Sequence, residues 1–174
     1  MKISFEVLGT PAPKGSSRPM IRGGKPVNVP SGSNVNRDKQ KSWNTSVRET
    51  AIMARDSITV SGVHQDGPLF VGHPLRVTMV FRLRRPVGHF RKPNKKSAGG
   101  GLRPDAPQWP IAKPDKDKLF RATADSLTGI LFDDDSRIVE SHERKVYATA
   151  GNEGASITIE SLSNDIAWYA GGGQ

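Results

Sequence analysis

The amino-acid sequence predicts an α+β fold, in which a single domain holds a small mixed β-sheet with at least two helices packed on it. Segments that alternate apolar and polar residues indicate strands, and segments with apolar residues three and four apart indicate helices. The chain has 174 residues, for which one domain is the default. Apolar residues make up only 34% of it, and its 18 Gly and 13 Pro indicate long loops around a modest core.

Alternation marks the predicted strands. In the first of them, Ile3, Phe5 and Val7 fall on one face, and in the second an apolar residue occupies every other position from 75 to 83. The predicted strands are residues 3–8, 73–84, 138–148 and 155–162, with a short strand start at 130–132. These segments are sufficient for one sheet.

Two helices are predicted to pack on that sheet. The first begins at Asn36 or Asp38, either of which can cap a helix, and runs to about residue 56 with Trp43 on its apolar face. Its basic face has two interpretations, a solvated surface or a DNA contact. The second helix spans residues 119–127 and ends before Gly129, a residue suited to the position after a helix C-terminus.

Long segments without periodicity connect these elements. Residues 9–30 and 86–112 are rich in Gly, Pro and Ser and are interpreted as loops, whereas residues 58–72 are ambiguous. The predicted organisation is one domain over residues 1–164, which includes a basic flexible loop at 86–112. A flexible C-terminal tail follows at 165–174.

Positive charge dominates the chain. It carries 26 Lys plus Arg against 17 Asp plus Glu, a formal net charge of +9 and a pI of about 10.1, which favours a nucleic acid as partner. The candidate DNA-binding residues are cations of the two long loops: Lys14, Arg18, Arg22, Lys25, Arg91, Lys92, Lys95 and Lys96. A disordered, solubilising insertion is the alternative interpretation of residues 86–112.

Several classes of site are disfavoured. The chain has no Cys, which excludes disulfides, thiolate metal sites and a Cys nucleophile. Its four His are too scattered for a zinc site. The glycines at 99–101 lack the strand and the Gly-Lys-Ser of a phosphate-binding loop, so no nucleotide cofactor is expected. Because no apolar run suits a signal peptide or a membrane span, a soluble intracellular protein is expected.

Two acidic clusters stand out in this basic chain. Asp115 and Asp117 precede the second predicted helix, and three Asp follow the short strand start at residues 133–135. Such clusters repel one another unless a cation lies between them. Asp117, Arg121 and Asp125 follow at four-residue spacing and therefore share one helix face. The ordinary alternatives are a helix cap at Asp117, a salt bridge at Arg121 and a turn at the triplet.

Asp115, Asp117 and one Asp of the triplet are suitable ligands for a hard divalent ion. Mg²⁺ takes oxygen ligands and is usually held by one or two carboxylates together with waters and a phosphate. Such an ion would polarise a phosphodiester and lower the pKa of a bound water, while Arg121 would stabilise charge on the phosphate. Since adjacent strand residues point to opposite faces, one or two acids of the triplet are expected to face the ion. The pattern predicts a metal-dependent phosphotransfer or nuclease site.

The same residues resemble the RusA family of Holliday junction resolvases, which are common in phages and prophages. The family motif is matched at Asp115-Lys116-Asp117, at Arg121, and at residues 125–129 and 134–138. An Ile-x-Phe-x-Val strand followed by Gly-x-Pro-x-Pro-Lys-Gly at residues 9–15 is similar to many members, as is the pair Lys145 and Tyr147. Arg121 stands where the family usually has a catalytic lysine.

The resemblance implies an endodeoxyribonuclease that resolves four-way DNA junctions by paired nicks, in recombination and repair. It implies Mg²⁺ as cofactor, with Mn²⁺ as a substitute, a symmetric homodimer, and the cytoplasm of a bacterial host. Carried over by position, Asp115, Asp117 and Asp135 are the catalytic metal ligands, with Asp134 as an additional ligand and Arg121 as the catalytic cation. Lys145 joins the candidate DNA-binding residues.

Two alternatives to junction resolution stay open. One is a nuclease for other branched DNA, such as flaps or forks. The other is a non-catalytic basic DNA-binding protein, in which the acids serve as a helix cap and a turn. In the leading interpretation Asp133 is a turn residue and Asp125 orients Arg121.

Overall fold

The computed structural model describes residues 1–15, 17–30, 34–58, 67–93 and 100–162. They form a four-stranded mixed sheet, a separate two-stranded sheet and two α-helices, which confirms the predicted α+β class. The strands are β1 (Lys2–Leu8), β2 (Ser17–Arg22), β3 (Lys25–Pro30), β4 (Leu75–Leu83), β5 (Ile138–Tyr147) and β6 (Gly154–Ser161), and the helices are α1 (Asn34–Ile58) and α2 (Lys116–Leu127). Neither of these described helices has the apolar length that crossing a bilayer requires. The predicted tail at 165–174 lies outside the described residues.

The main sheet has the strand order β1-β6-β4-β5. Its neighbours are antiparallel except for β4 and β5, which run parallel. Strict alternation along β4 buries Leu75, Val77, Met79 and Phe81 completely on the face that packs against the helices. Because parallel neighbours need a crossover, the chain leaves β4, forms α2 and returns to β5, which places α2 beside β5 at the edge of the sheet.

Helix α1 is held by one apolar stripe. Trp43, Val47 and Ala51 lie four residues apart and are buried against the sheet and α2. The indole Nε1 of Trp43 donates a hydrogen bond of 3.1 Å to Oγ1 of Thr123, which is fully buried on α2. The expectation that Trp43 belongs to the core is therefore confirmed, and this contact fixes α1 relative to the helix that carries the acids.

Replacing Trp43 with alanine is expected to lower the free energy of unfolding by about 3–5 kcal/mol, because it leaves a cavity and removes the hydrogen bond to Thr123. Urea unfolding followed by circular dichroism measures the change. Met53→Ala on the solvent side of the same helix is the control, since Met53 is 68% exposed. An equal loss in both variants would contradict the packing role of Trp43.

The segment at residues 9–30 was predicted as a loop, and this prediction is wrong for most of its length. Residues 17–22 pair with residues 25–30 as an antiparallel hairpin. Gly23 and Gly24 form its two-residue turn with φ of 57° and 71°, the positive values that a type I′ turn requires. Three prolines and the mixed polarity of these strands hide the alternation that usually reveals a hairpin in a sequence.

The described parts of the 86–112 segment, residues 86–93 and 100–112, are joined by backbone hydrogen bonds. The N–H of Arg91 donates to the carbonyl of Gly101 at 2.8 Å, and that of Arg103 donates to His89 at 2.9 Å. At its base, the guanidinium of Arg85 lies 3.9 Å from the centre of the Tyr147 ring. Gly100 and Gly101 therefore take part in a short ladder of backbone hydrogen bonds with Arg91. Lys95 and Lys96 lie outside the described residues.

The short strand predicted at 130–132 is not a strand of the sheet. Phe132 makes only isolated bridges, to Phe70 and Thr128, within a turn that follows α2. Residues 130–132 are nonetheless buried in the core. Their apolar run reflects this burial, because a short apolar segment is compatible with any buried backbone conformation.

Candidate functional site

An open cleft of about 330 Å³ lies between α2 and the start of β5. Its lining comes from α2 and from the segment that leads into β5 and along it: Asp117, Phe120, Arg121, Ala124, Asp135, Ile138, Ser141 and Glu143. The structure thus brings together Asp117, Arg121 and Asp135, three of the four predicted catalytic residues. Asp115 does not contribute to this lining.

The amphipathic pattern of α2 orients the cleft residues. Positions 117, 120, 121 and 124 follow the spacing that places side chains on one helix face. The opposite face is buried in the core through Leu119, Ala122, Thr123, Ser126 and Leu127. Since packing fixes that apolar face, it also fixes the direction in which Asp117 and Arg121 point.

The N-terminus of α2 differs from the prediction. The helix begins at Lys116, so Asp115 is the N-cap residue and Asp117 lies in the first turn. The Asp115 side chain makes no capping hydrogen bond, and its carboxylate pairs instead with Nζ of Lys118 at 3.2 Å. An acid in the first turn interacts favourably with the helix dipole, so Asp117 helps to stabilise the start of α2.

The three acids at residues 133–135 lie in a turn, and each makes different contacts. Asp133 pairs with the guanidinium of Arg137 at 3.0 Å, and this hydrogen bond lowers the pKa of the Asp133 carboxyl. Oδ1 of Asp134 accepts a hydrogen bond of 2.8 Å from the Ser136 N–H, and hydrogen bonding by Ser136 lowers the pKa of Asp134. Asp135 begins a short 3-10 helix, Asp135–Arg137, and lines the cleft.

This turn corrects the expectation that strand alternation decides which acid faces the site. Residues 133–135 are not in a strand, and β5 begins only at Ile138. Of the three acids, only Asp135 lines the cleft. Asp133 and Asp134 instead make contacts that stabilise the turn. The prediction that Asp133 serves as a turn residue agrees with its bond to Arg137.

Within the described residues, no ion pair joins Asp117, Asp135 or Arg121 to another side chain. Most other carboxylates near the cleft are compensated, for example Asp115 by Lys118 and Glu143 by Lys116. Two carboxylates without an ion pair in one cleft are suited to bind a cation, and Arg121 is the positively charged group of the same lining.

Asp125 does not orient Arg121, contrary to the prediction. Its carboxylate pairs with Nζ of Lys14 at 2.6 Å. The backbone N–H of Lys14 also donates to the carbonyl of Lys118 at 3.3 Å. Lys14, predicted as a DNA-binding residue, therefore anchors the N-terminal segment to α2.

Glu143 lines the same cleft and was missed by the sequence analysis. Its side chain is 15% exposed and accepts hydrogen bonds from Lys116 at 3.1 Å and Ser141 at 3.0 Å. Burial raises the pKa of Glu143, but these hydrogen bonds and the Lys116 charge outweigh burial, so the pKa is lowered overall. Glu143 is the register partner of the buried Met79 on β4, but β5 has no regular apolar–polar alternation, so the sequence offered no clear signal for it.

Lys145 connects β5 to the chain that enters α2. Its Nζ donates to the carbonyl of Ala112 at 3.0 Å and to that of Pro114 at 2.8 Å. These bonds fix the segment directly before Asp115. The predicted DNA contact of Lys145 stays a prediction, and the structure adds a positioning role.

The resemblance described above predicts DNA cleavage, and Lys145→Met is expected to slow it about ten- to a hundredfold, because it releases the segment that positions the N-terminus of α2. Lys113→Met is the matched control, since it removes the same charge from an exposed residue of that segment. Single-turnover rates and urea unfolding midpoints are measured for both. Equal rates in the two variants would assign the effect to charge and not to positioning.

The remaining predicted DNA-binding cations lie on two projections. Arg22 and Lys25 are exposed at the tip of the β2–β3 hairpin, and Arg91 and Lys92 are exposed on the 86–112 segment. The side chain of Arg18 and all of residues 94–99 lie outside the described part of the chain. DNA contact by these residues stays a prediction.

The donors of the cleft suit a hard divalent ion. Asp117 and Asp135 supply carboxylate oxygens, and Mg²⁺ is commonly held by one or two carboxylates plus a phosphate and waters. In the described ranges, no three His, Asp or Glu side chains are grouped closely enough to hold an ion without further ligands. The arrangement fits an ion that the chain and a bound phosphate hold together.

Two comparisons with known proteins bear on this chain. A family model described as Endodeoxyribonuclease RusA matches residues 11–160. The uncharacterized protein YqaN of Bacillus subtilis (strain 168) is 27% identical over 147 residues, which covers 84% of this chain and 88% of that protein. The matched region contains α2, the acidic turn and β5, and so includes every residue that lines the cleft.

Proposed function

The chain belongs to the RusA endodeoxyribonuclease family, and on that premise we propose that it is a Mg²⁺-dependent nuclease that resolves four-way DNA junctions by paired nicks. The observation that supports this most directly is that Asp117 and Asp135 line the same cleft. Neither forms an ion pair within the described residues. In a protein of net charge +9, such a cleft suits an ion bound together with a DNA phosphate.

In this proposal Asp117 and Asp135 hold the divalent ion, Mg²⁺ or Mn²⁺, and Asp115 is a third acid at the margin of the site. When bound, such an ion polarises the phosphodiester and lowers the pKa of a water molecule. The chain itself contributes rigidity, because α2 is fixed by its buried face and the acidic turn is fixed by Asp133 and Asp134. The carboxylate of Asp134 already accepts a hydrogen bond from the Ser136 N–H, so Asp134 is a weaker candidate ligand than Asp135.

Arg121 is proposed to bind the scissile phosphate. It lies one helical turn after Asp117 in the same cleft and has no ion pair within the described ranges. A guanidinium remains charged at any physiological pH and can donate two parallel hydrogen bonds to a phosphate. Arg121 therefore stabilises negative charge that develops on the phosphate, but it does not supply a proton.

The remainder of the proposal concerns DNA and assembly. The exposed cations of the hairpin and the 86–112 segment hold the DNA arms by phosphate contacts. Two nicks in opposing strands require two sites, so a symmetric homodimer is proposed. The proposed setting is recombination and repair of DNA in the cytoplasm of a bacterial host, by a phage or prophage protein.

Cleavage of synthetic DNA tests the proposal. Purified protein with Mg²⁺ is incubated with labelled four-way junctions, forks, flaps and linear duplexes of matched sequence, and the products are separated on denaturing gels. We expect paired nicks in the four-way junction and no cleavage of the linear duplex. Omission of Mg²⁺ or addition of EDTA is expected to abolish the products.

Other outcomes of this experiment separate the alternatives. Faster cleavage of forks or flaps than of junctions would favour a nuclease for other branched DNA. Binding without cleavage, unchanged in Asp117→Asn, would favour a non-catalytic DNA-binding protein. Equal cleavage of every substrate would contradict structure selectivity.

A further inference from the structure

The β2–β3 hairpin forms a sheet of its own, separate from the main sheet. Its register pairs Met20 with Val27, Ile21 with Pro26 and Arg22 with Lys25. Because neighbouring strand residues point to opposite faces, Ile21 and Pro26 occupy one face, and Met20, Val27 and the two cations occupy the other. Both faces of this ribbon therefore carry apolar side chains.

These apolar side chains are exposed. Ile21 is 77% exposed, Met20 40% and Val27 37%. An isolated two-stranded hairpin is only marginally stable in water, and Ile21, at 77% exposed, gains little from burial in the described structure. Their placement is better explained by contact with a bound partner.

The charge of the hairpin indicates which partner. Arg22 and Lys25 face each other directly across the two strands, an arrangement of like charges that is unfavourable without an anion. Residues 17–30 contain no Asp or Glu that could compensate them. A partner that offers both negative charge and apolar surface fits this tip, and DNA with exposed base faces has both.

The residues that precede the hairpin contact both helices. The N–H of Lys14 donates to the carbonyl of Lys118 on α2, and Nζ of Lys14 pairs with Asp125. The N–H of Gly15 donates to Oε1 of Gln40 on α1 at 3.3 Å. The segment that leads into the hairpin is therefore anchored to α2, the helix that carries Asp117 and Arg121.

We propose that the hairpin is a wedge that places Ile21 and Pro26 against unstacked bases at the centre of a DNA junction, while Arg22 and Lys25 contact the adjacent phosphates. This inference rests on the proposed function. Apolar side chains, including Ile and Pro, insert between base steps in other DNA-binding proteins at the expense of base stacking. At a branch point the stacking is already interrupted, so the wedge discriminates junctions from continuous duplex.

The test measures binding without cleavage, in Asp117→Asn protein with EDTA present. A four-way junction carries 2-aminopurine beside the crossover, and a linear duplex of the same sequence is the reference. The parent is expected to bind the junction more tightly and to raise the 2-aminopurine fluorescence. Ile21→Ala is expected to weaken junction binding about tenfold and to lose most of the fluorescence rise, with duplex binding unchanged.

Further variants separate the wedge from an effect on folding. Ile21→Thr keeps the β-branched shape but not the apolar end, and it is expected to behave as Ile21→Ala. Ile21→Phe is expected to retain junction binding because an aromatic ring can stack on a base. Met53→Ala, a change at an exposed apolar residue of α1, is expected to match the parent.

The outcomes distinguish this inference from the proposed function. A parent that binds junction and duplex equally would overturn the proposed function and the wedge with it. A parent that prefers the junction, with preference and fluorescence unchanged in Ile21→Ala and Ile21→Thr, would overturn the wedge alone. Equal loss of junction and duplex binding in both variants would also overturn it, because the hairpin would then be a general DNA contact.

Discussion

Asp117→Asn is expected to slow junction cleavage about a thousandfold or more while DNA binding is retained or strengthened. The substitution keeps the size of the side chain and removes one of the two carboxylates that lack an ion pair in the cleft. Without that charge the divalent ion is held poorly, whereas the repulsion between the cleft and the DNA phosphate decreases. Asp135→Asn is expected to behave in the same way.

Single-turnover cleavage and equilibrium binding in Ca²⁺ measure the two effects separately. Asp133→Asn is the matched control, because the same chemical change at a neighbouring acid weakens contacts within the turn, such as the pairing with Arg137, but removes no carboxylate that lines the cleft. We expect Asp133→Asn to cleave within about tenfold of the parental rate. Asp115→Asn then tests whether Asp115, the third metal ligand that the family resemblance implies, contributes to cleavage. In the structure Asp115 pairs with Lys118 and does not line the cleft. Parental rates in Asp117→Asn would contradict the assigned site.

Arg121→Met is expected to slow cleavage about a hundred- to a thousandfold, because it removes the cation that stabilises charge on the phosphate. Arg121→Lys is expected to recover most of the rate, since it keeps the positive charge and is the residue that the family resemblance implies at this position. The effect should lie mainly in the rate of the cleavage step, because charge on the phosphate grows as the bond breaks.

Arg48→Met is the control for loss of one positive charge. Arg48 is exposed on the neighbouring helix α1 and contacts only the carbonyl of Ser126, at 3.4 Å, among the described residues. It is expected to weaken DNA binding slightly at low salt without slowing single-turnover cleavage. If Arg121→Met instead altered binding alone, Arg121 would be a DNA contact with no role in the cleavage step.

Local patterns in the sequence predict much of this fold. Strict alternation in β4 predicts a strand with one buried face, and the stripe through Trp43 predicts the packing face of α1. The spacing of Asp117 and Arg121 predicts that they share a helix face, and both line the cleft. These predictions succeed because helix and strand periods are properties of the local chain.

The hairpin was not predicted, and the strand start predicted at 130–132 is wrong. Prolines and glycines between residues 17 and 30 are typical of loops, although Gly23 and Gly24 suit a type I′ turn. Residues 133–135 follow an apolar run that resembles a strand, but buried Phe132 ends it at a turn. In both cases pairing or burial elsewhere in the domain overrides the local pattern.

The sequence by itself therefore determined the α+β class, the basic character and the helix face that carries Asp117 and Arg121. Only the tertiary structure decided that Asp135 shares the cleft with them, that Asp115 does not line it, and that Glu143 does. The physical reason is the parallel pairing of β4 with β5, which places α2 beside the start of β5. Periodicity along the chain contains no information about which distant residues such a crossover brings together.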